Sequence, residues 1–155
     1  MTRIEKQVVI ERPVNEVLGF ARDWRNIPRY LDYIQEVKPL SERTEEEGAR
    51  FLVKLTFLSR AMTSKWELVE YKEGEGWTFV TPLMGVAARK QWRFDSLGGS
   101  TRVSFTLEYE PRPAVLGSIL DRLLLRRQWN KLSERGMQNF KRLVEAETPK
   151  AAVPA

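Results

Sequence analysis

Between residues 49 and 110, apolar and polar residues alternate along five segments separated by short turn signals. The segments run over 49–58, 60–71, 76–82, 86–97 and 101–110. Alternation with a period of two is typical of β-strands that bury one face and expose the other, and short turns between consecutive strands indicate antiparallel pairing. The pattern therefore predicts a five-stranded meander.

The turns predict how these strands pair. Gly98-Gly99 is a two-residue hairpin signal, and it places Trp92 opposite Phe105 and Lys90 opposite Leu107. Turns at Ser59-Arg60, at the loop KEGE and at Leu83-Met84 predict the following further neighbours: Phe57 and Met62, Val53 and Trp66, Leu68 and Phe79, Glu70 and Trp77, Phe79 and Ala88, and Trp77 and Lys90.

With these registers all five strands direct their apolar residues to one face of the sheet. A slip of one residue inverts a strand, so the agreement supports the predicted pairing. The face predicted to be buried comprises Phe51, Val53, Leu55, Phe57, Met62, Trp66, Leu68, Trp77, Phe79, Trp92, Phe94, Val103, Phe105, Leu107 and Tyr109. The face predicted to be exposed comprises Lys54, Thr56, Lys65, Glu67, Thr78, Arg89, Gln91, Arg93, Arg102, Ser104, Thr106 and Glu108.

Upstream of the meander, the pattern predicts a strand, two short helices and another strand. Residues 3–10 read as the first strand, and Pro13 suits the first position of a helix. Apolar residues then recur at helical spacing along PVNEVLGFARDW. RNIPRYL reads as a second short helix or turn, and YIQEVKPLSE as a strand that ends in the solvated acidic turn ERTEEEG.

Downstream, a long helical stretch changes the direction of its apolar stripe. One face carries Leu116, Ile119, Leu120 and Leu123, and another carries Leu125, Trp129, Leu132, Gly136, Phe140 and Leu143. We therefore expect a short helix or lid over 114–124, a kink near 124–127, and then the main helix. Residues 1–147 are predicted to form one domain, and the small residues and prolines of 148–155 a disordered tail.

Composition narrows the chemistry that is available. The 155 residues are 42% hydrophobic and 30% charged, and they include neither cysteine nor histidine. Disulfides, thiolate catalysis and a Ser/His/Asp triad are therefore excluded, and the sequence shows no metal cluster and calls for no cofactor. The chain has no apolar run long enough to span a membrane and no signal-peptide core at its start, so the expected compartment is the cytoplasm.

Three stretches together resemble a known fold family. They are IERPVNEVLGFARDWRNIP, QWRFDSLGGSTRVSF and the terminal helix. Their order and spacing resemble the helix-grip fold of the START-like (SRPBCC, Bet v 1-like) superfamily, especially its polyketide cyclase/dehydrase and coenzyme Q-binding-like branch. The resemblance covers residues 3–146 and implies an α+β fold. In that fold a curved antiparallel sheet of about seven strands wraps around a long C-terminal helix, with two short helices after the first strand.

The resemblance further implies a hydrophobic cavity between the sheet and the helix. It fixes no activity, because the fold hosts carriers, receptors, cyclases and hydrolase-like proteins. The side chains expected to line the cavity are Phe57, Ser64, Trp66, Leu68, Trp77, Phe79, Lys90, Trp92, Phe94, Phe105, Trp129, Leu132 and Gly136. Each ring is equally compatible with a packed core, and Gly136 either leaves space for a ligand or allows the helix to approach the sheet closely.

Lys90 is the most unusual residue of the buried face, because buried lysines are rare unless they are paired. The predicted register places Glu70 on the same row, across the Trp77 ring. A Lys90–Glu70 pair facing the cavity would bind a carbonyl or carboxylate group or move a proton, whereas a pair at the rim would reach water. Tyr33 is a further candidate for proton transfer. With Tyr30 and Asp32 it follows the short helices, which flank the cavity entrance in this family.

The helix face opposite the apolar stripe is basic. Arg127, Lys131 and Arg135 are candidates for binding an anionic membrane surface or an acidic partner, although a solvated face explains them equally well. The face carries no interleaved aromatic residues, which argues against single-stranded nucleic acid. The oligomeric state, monomer or homodimer, stays open.

Three functional hypotheses follow. The first is a non-catalytic protein that binds or carries a hydrophobic molecule (polyketide-, quinone- or lipid-like), with Lys90 and Glu70 orienting its polar end. The second is an enzyme of the polyketide cyclase/aromatase type, which would use Lys90, Glu70 or a tyrosine such as Tyr33 for proton transfer. The third is a ribosome- or membrane-associated regulator that uses the basic helix face.

Overall fold

A computed structural model describes residues 1–83, 85–111 and 119–148, with the backbone alone described for 119–121. The strands are β1 (Thr2–Ile10), β2 (Ile34–Pro39), β3 (Arg50–Phe57), β4 (Arg60–Lys72), β5 (Gly76–Leu83), β6 (Val86–Ser96) and β7 (Thr101–Tyr109). The helices are α1 (Val14–Ala21), a 3₁₀ turn (Trp24–Asn26), α2 (Ile27–Tyr30) and α3 (Ile119–Glu147). The predicted strands, the two short helices and the long C-terminal helix are confirmed, and the boundaries of the strands shift by a few residues at most.

The seven strands form one antiparallel sheet in the order β1-β7-β6-β5-β4-β3-β2. The sheet packs its apolar face against α3, and the two short helices after β1 close one end. This is the helix-grip architecture that the sequence predicts. The apolar residues predicted to form the buried face are all buried, apart from Met62, which is half-buried. On the other face Thr78 is the exception, since it is buried and donates a hydrogen bond to Glu70.

The register of the β6–β7 hairpin is confirmed. Trp92 pairs with Phe105, Lys90 pairs with Leu107, and the Leu97 backbone N–H donates to the Ser100 carbonyl across the turn. Gly98 has a φ of 91°, a conformation that glycine adopts without strain. The register could therefore be predicted from the sequence, because Gly98-Gly99 suits the backbone geometry of this turn.

Two other predicted registers are wrong by two residues. Leu58 and Ser59, with φ of 50° and 64°, form the β3–β4 turn, so Phe57 pairs with Arg60 rather than with Met62. In the β5–β6 hairpin Phe79 pairs with Lys90 rather than with Ala88. A shift of two residues keeps every side chain on its predicted face, which is why the buried set survives both errors.

An irregularity in β4 changes which side chain faces inward. The pairing of β4 with β5 shifts between Leu68 and Glu70, so Glu70 lies opposite Thr78 and Tyr71 lies opposite Trp77. The Tyr71 and Trp77 rings stack, with centroids 6.1 Å apart. The extra residue of a β-bulge reverses the alternation beyond it. The predicted placement of Glu70 beside Trp77 is therefore wrong, and Tyr71 takes the inward position.

Helix α3 runs without interruption through residues 124–127, where a kink was expected. The second apolar stripe is buried as predicted except for Leu143, which is half-buried, whereas Leu123 and Leu124 are exposed on the helix surface. Where the apolar stripe changes direction, α3 therefore stays continuous and exposes two leucines to solvent. Residues 114–118 of the expected lid and 149–155 of the expected tail lie outside the described residues.

Candidate functional site

A cavity lies between the inner face of the sheet, the two short helices and the β2–β3 loop. We call it the main cavity; its volume is about 40 Å³. The side chains around it are Ala21, Arg22, Trp24, Ile27, Tyr30, Leu31, Tyr33, Thr44, Glu45, Phe51, Trp66, Leu68, Tyr71, Trp77, Phe79, Lys90, Trp92 and Phe105. Sites for drug-sized ligands measure a few hundred Å³, so the main cavity holds only a few waters in this conformation.

Lys90 lies at the buried end of the main cavity, which we call the floor. Its Nζ atom donates a hydrogen bond of 3.2 Å to the Tyr33 hydroxyl. The same atom lies 4.7 Å from the centre of the Trp129 ring and 4.8 Å from that of Trp66. The floor therefore consists of Lys90, Tyr33 and the Trp66 ring, and the Trp129 ring packs against Lys90 from outside the main cavity, so the ammonium group is surrounded by aromatic rings.

The charge of Lys90 has no counter-ion in the described part of the chain. The side chain is only 4% exposed, and it forms no ion pair with a described residue. Burial lowers the pKa of Lys90 to about 7, because the ammonium form loses its hydration. The aromatic faces oppose this shift, since they stabilise the ammonium form. Near neutral pH the group is therefore able to exist as ammonium or as free amine.

Tyr33 is the direct polar partner of Lys90. It is buried, and its ring packs edge-on against Trp129 with centroids 6.0 Å apart. Burial raises the pKa of Tyr33, and the neighbouring Tyr30 and Asp32 raise it further. The side chain is therefore a neutral phenol at pH 7, able to accept from the ammonium group and to donate its own proton to a ligand.

The other end of the main cavity, which we call the rim, consists of Arg22, Thr44, Glu45 and Tyr71. Glu73 connects two of these residues: Arg22 Nη1 lies 2.6 Å from Glu73 Oε1, and the Tyr71 hydroxyl donates to Glu73 Oε2 at 2.9 Å. Glu45 is exposed and the other three are half-buried. Burial, followed by Glu73, raises the pKa of Tyr71 to about 12. The rim is thus hydrated and its arginine is paired.

The structure divides the predicted cavity-lining residues into three groups. Seven line the main cavity: Trp66, Leu68, Trp77, Phe79, Lys90, Trp92 and Phe105. Four line separate voids of about 20 and 10 Å³: Phe57, Trp129, Leu132 and Gly136, with Trp129 contributing to both. Ser64 donates to the Pro82 carbonyl and lines none of these spaces, and Phe94 lines a separate groove of about 250 Å³ together with Trp77 and Trp92. The Trp129 ring separates the voids, stacked on Phe57 at 4.7 Å.

Glu70 does not meet Lys90. Its carboxylate accepts a hydrogen bond from the Thr78 hydroxyl at 3.1 Å on the outer side of the sheet. The predicted Lys90–Glu70 pair is therefore wrong, because the bulge in β4 turns Glu70 away from the cavity. Tyr33, the other proposed proton-transfer residue, occupies the place beside Lys90 that had been assigned to Glu70.

Gly136 lies where α3 crosses the end of α2. A methyl group at this position would lie 2.7 Å from Leu31 Cδ2 and 3.7 Å from the Tyr30 carbonyl oxygen. The glycine thus allows close approach of two helical segments, and not of helix and sheet as expected. Leu31 also lines the main cavity, so Gly136 acts on that space through Leu31.

The rim residues were missed by the sequence analysis. Thr44 and Glu45 belong to the acidic turn that was interpreted as purely solvated, and Arg22 follows the last residue of α1. Loop residues show no periodicity that would reveal which way they face. Tyr71 was missed because the bulge in β4 turns it inward, and no residue type in β4 indicates a bulge.

The basic face of α3 is exposed at Arg127 and Lys131, as predicted. Arg135 is less available than expected, because it forms an ion pair with Asp32. Among the described helices, none is both long enough and apolar enough to cross a membrane. The described residues also contain no group of three or more side chains arranged to hold a metal ion.

Comparison with known families gives a match over nearly the whole chain. The model of the family described as "Polyketide cyclase / dehydrase and lipid transport" matches residues 1–145. No curated protein sequence matches the chain significantly.

Solved structures with the same fold are distant in sequence. The protein TTHA0849 from Thermus thermophilus has a TM-score of 0.79 at 19% identity, over 96% of this chain and 100% of that chain. The ZhuI aromatase/cyclase from a Streptomyces species has a TM-score of 0.78 at 16% identity, over 97% and 98%. A START superfamily protein from Mycobacterium smegmatis has a TM-score of 0.75 at 12% identity, over 94% and 99%. At these identities the likeness concerns the fold.

Proposed function

Because the chain belongs to the polyketide cyclase/dehydrase and lipid transport family, we propose that it binds a hydrophobic small molecule in the main cavity. The observation that carries this proposal is the composition of the cavity wall. Most of the wall is aromatic or aliphatic, and a single polar pair, Lys90 and Tyr33, lies at the buried end. An apolar site with one convergent polar group is typical of small-molecule binding. The rings supply contact area and the polar pair orients the ligand.

Binding requires the cavity to widen. Its volume of about 40 Å³ is far below that of a bound polyketide or lipid chain. The wall that is able to move is the helical segment and the β2–β3 loop, since these segments are not strands of the hydrogen-bonded sheet. We therefore place ligand access at the rim, between Arg22 and Glu45, and regard the present conformation as closed.

Ligand binding is tested by native mass spectrometry of freshly purified protein, followed by thermal shift with quinones, fatty acids and aromatic polyketides. A co-purified apolar molecule, or stabilisation by one of these classes, is the expected result. The tryptophans of the cavity wall give a second readout, because a ligand against Trp66, Trp77 or Trp92 changes intrinsic fluorescence.

Two matched variants locate the binding site. Ala21→Met fills the main cavity, and Ala88→Met fills the separate void near Tyr109. The first variant should lose ligand-induced stabilisation, and the second should retain it. Equal binding by both variants would remove the main cavity as the site, and an apo mass with no stabilisation by any class would reject the binding function.

A second candidate function is catalysis of polyketide cyclisation, supported by the Lys90–Tyr33 pair. An amine with a pKa of about 7 next to a neutral phenol is suited to taking and returning a proton when a β-polyketone folds. The test is turnover of a β-polyketone analogue by the unmodified protein, by Lys90→Met and by Tyr33→Phe. Cyclisation that depends on both residues supports the enzyme, whereas binding without turnover supports the carrier.

A further inference from the structure

We propose that the ligand of the main cavity is a hydrophobic carboxylic acid whose carboxylate binds Lys90 and Tyr33 at the floor. This inference rests on the proposed function and specifies its ligand class. The starting point is an imbalance of charge in the described structure: the floor contains a buried ammonium group and no anion.

The hydrogen-bonding capacity of the floor points to an anionic acceptor with two oxygens. An ammonium group has three donors, and Lys90 uses one of them on Tyr33 among the described residues. The Tyr33 hydroxyl accepts this bond and keeps its own proton for donation. A carboxylate at the floor accepts from Nζ with one oxygen and from the phenol with the other. An alcohol or ester has no charge to offer the ammonium group.

The charges at the rim also favour a ligand whose carboxylate lies at the floor. Arg22, the other cation at the main cavity, is already paired with Glu73. Glu45 is exposed at the rim, within the acidic turn. A carboxylate left at the rim would meet these acidic side chains, whereas a carboxylate at the floor meets an unpaired cation. The acid therefore enters head first and leaves its apolar tail against the rings.

The groups that face Lys90 make the interaction dependent on pH. From α3 and β4 the facing groups are the rings of Trp129 and Trp66, which do not titrate. From the segment before β2 the facing group is Tyr33, which stays protonated because burial raises its pKa. Between pH 6 and pH 9 the ligand is ionised throughout, and Lys90 is the facing group that changes its charge.

The pKa of Lys90, about 7, determines how the affinity for the acid changes with pH. Below this pH the ammonium group is present and binds the carboxylate directly. Above it the free protein holds an amine, so binding the acid requires uptake of a proton. The affinity for the acid therefore falls by up to about tenfold per pH unit above pH 7, whereas the affinity for a neutral analogue stays constant.

The experiment compares two matched ligand pairs: decanoic acid with decan-1-ol, and 2-naphthoic acid with 2-naphthalenemethanol. Dissociation constants are measured by tryptophan fluorescence and calorimetry at pH 6 and pH 9, with the unmodified chain and with Lys90→Met. At pH 6 each acid should bind about tenfold or more tightly than its alcohol, as expected for a charge-assisted hydrogen bond. The preference should shrink at pH 9 and disappear in Lys90→Met, which should still bind the alcohols.

Equal affinity of acid and alcohol at pH 6, or a preference that survives in Lys90→Met, would overturn the inference while leaving hydrophobic binding intact. Failure of all four ligands to bind would overturn the inference together with the proposed function. Tyr33→Phe provides a second variant that keeps the ring. It should reduce the affinity for the acids by a larger factor than that for the alcohols, and an equal reduction for both would contradict the two-donor floor.

Discussion

The two ends of the main cavity each carry one cation, and the two cations are held in opposite ways. At the rim, Arg22 pairs with Glu73, and their side chains are 31% and 68% exposed. At the floor, Lys90 is 4% exposed and has rings and a phenol around it. A hydrated ion pair contributes little to stability, whereas a buried unpaired charge is strongly unfavourable. The ion pair at the rim therefore changes stability little, whereas the floor persists although its unpaired charge destabilises the fold.

The largest contrast in stability should lie between Trp129, which packs against Lys90, and Trp24, which lies at the edge of the main cavity. Trp129→Ala removes the ring that stacks on Phe57 and faces Lys90, and we expect the free energy of unfolding to fall by about 3–5 kcal/mol. Trp24→Ala at the cavity edge, where the ring is half-buried, should lower it by less than about 2 kcal/mol. Urea denaturation of both variants measures the difference, and similar losses would contradict the distinction between floor and edge.

Removal of the unpaired cation should stabilise the protein. Lys90→Met replaces the ammonium group by an apolar group of similar length, and we expect the free energy of unfolding at pH 6 to rise by about 2–4 kcal/mol. In the folded state the pKa of Lys90 lies at about 7, below its ordinary value of 10.5. The unfolded chain therefore binds more protons between these values, and the unmodified protein gains stability as the pH rises.

Lys90→Met lacks this gain, so the advantage of the variant should shrink above pH 7 by up to about 1.4 kcal/mol per pH unit. Denaturation curves at pH 6, 7, 8 and 9 measure it. An advantage that is constant over this range would mean that Lys90 does not titrate in it. A variant less stable than the unmodified chain at pH 6 would mean that the ammonium group is stabilised within the fold.

Gly136→Ala should affect the ligand more than the fold. Alanine improves helix propensity by about 1 kcal/mol, and displacement of the Leu31 side chain offsets this gain, so the stability should change by less than about 1 kcal/mol. Because Leu31 lines the main cavity, a displaced Leu31 side chain would take up part of that cavity, and ligand affinity should decrease. Gly19→Ala, where a methyl group meets no neighbour, is the matched control and should leave ligand affinity unchanged.

The smallest effect is expected at the rim. Arg22→Gln breaks the ion pair with Glu73, and the free energy of unfolding should change by less than about 0.5 kcal/mol, because the pair is hydrated. The association rate of a ligand should increase if this pair restricts the opening, and stopped-flow fluorescence measures it. A loss of stability as large as that of Trp129→Ala would show that the rim is part of the structural core.

Strand registers could be predicted where the residue types in a turn suit its backbone conformation. Gly98-Gly99 suits its turn, and the adjoining register followed from it. Leu58-Ser59 adopts positive φ without any residue that favours it, so the turn was misplaced by one residue and the register by two. The buried face was still identified, because an even shift preserves alternation, whereas the bulge before Glu70 shifted the alternation by one and exchanged Glu70 for Tyr71.

The candidate site was predicted in part for the same reason. Lys90 was identified because apolar and polar residues alternate without interruption along β6 up to the β6–β7 turn. Tyr33 was identified through the family resemblance. The contact between them joins residues 57 positions apart in sequence and depends on how the helical segment folds over the sheet. The rim residues lie in segments without periodicity. The volume of the cavity follows from side-chain packing, which a pattern of apolar positions does not specify.

The most direct test of the unpaired floor is the pKa of Lys90 in the ligand-free protein. It is measured by NMR of ¹³C,¹⁵N-lysine-labelled protein between pH 5 and pH 11, with the resonance assigned by its absence in Lys90→Met. The account predicts a midpoint near 7 that moves upward when decanoic acid is bound. A midpoint at 10 or above in the ligand-free protein would mean that the ammonium group is already compensated, and the floor would then have no need of an anionic ligand.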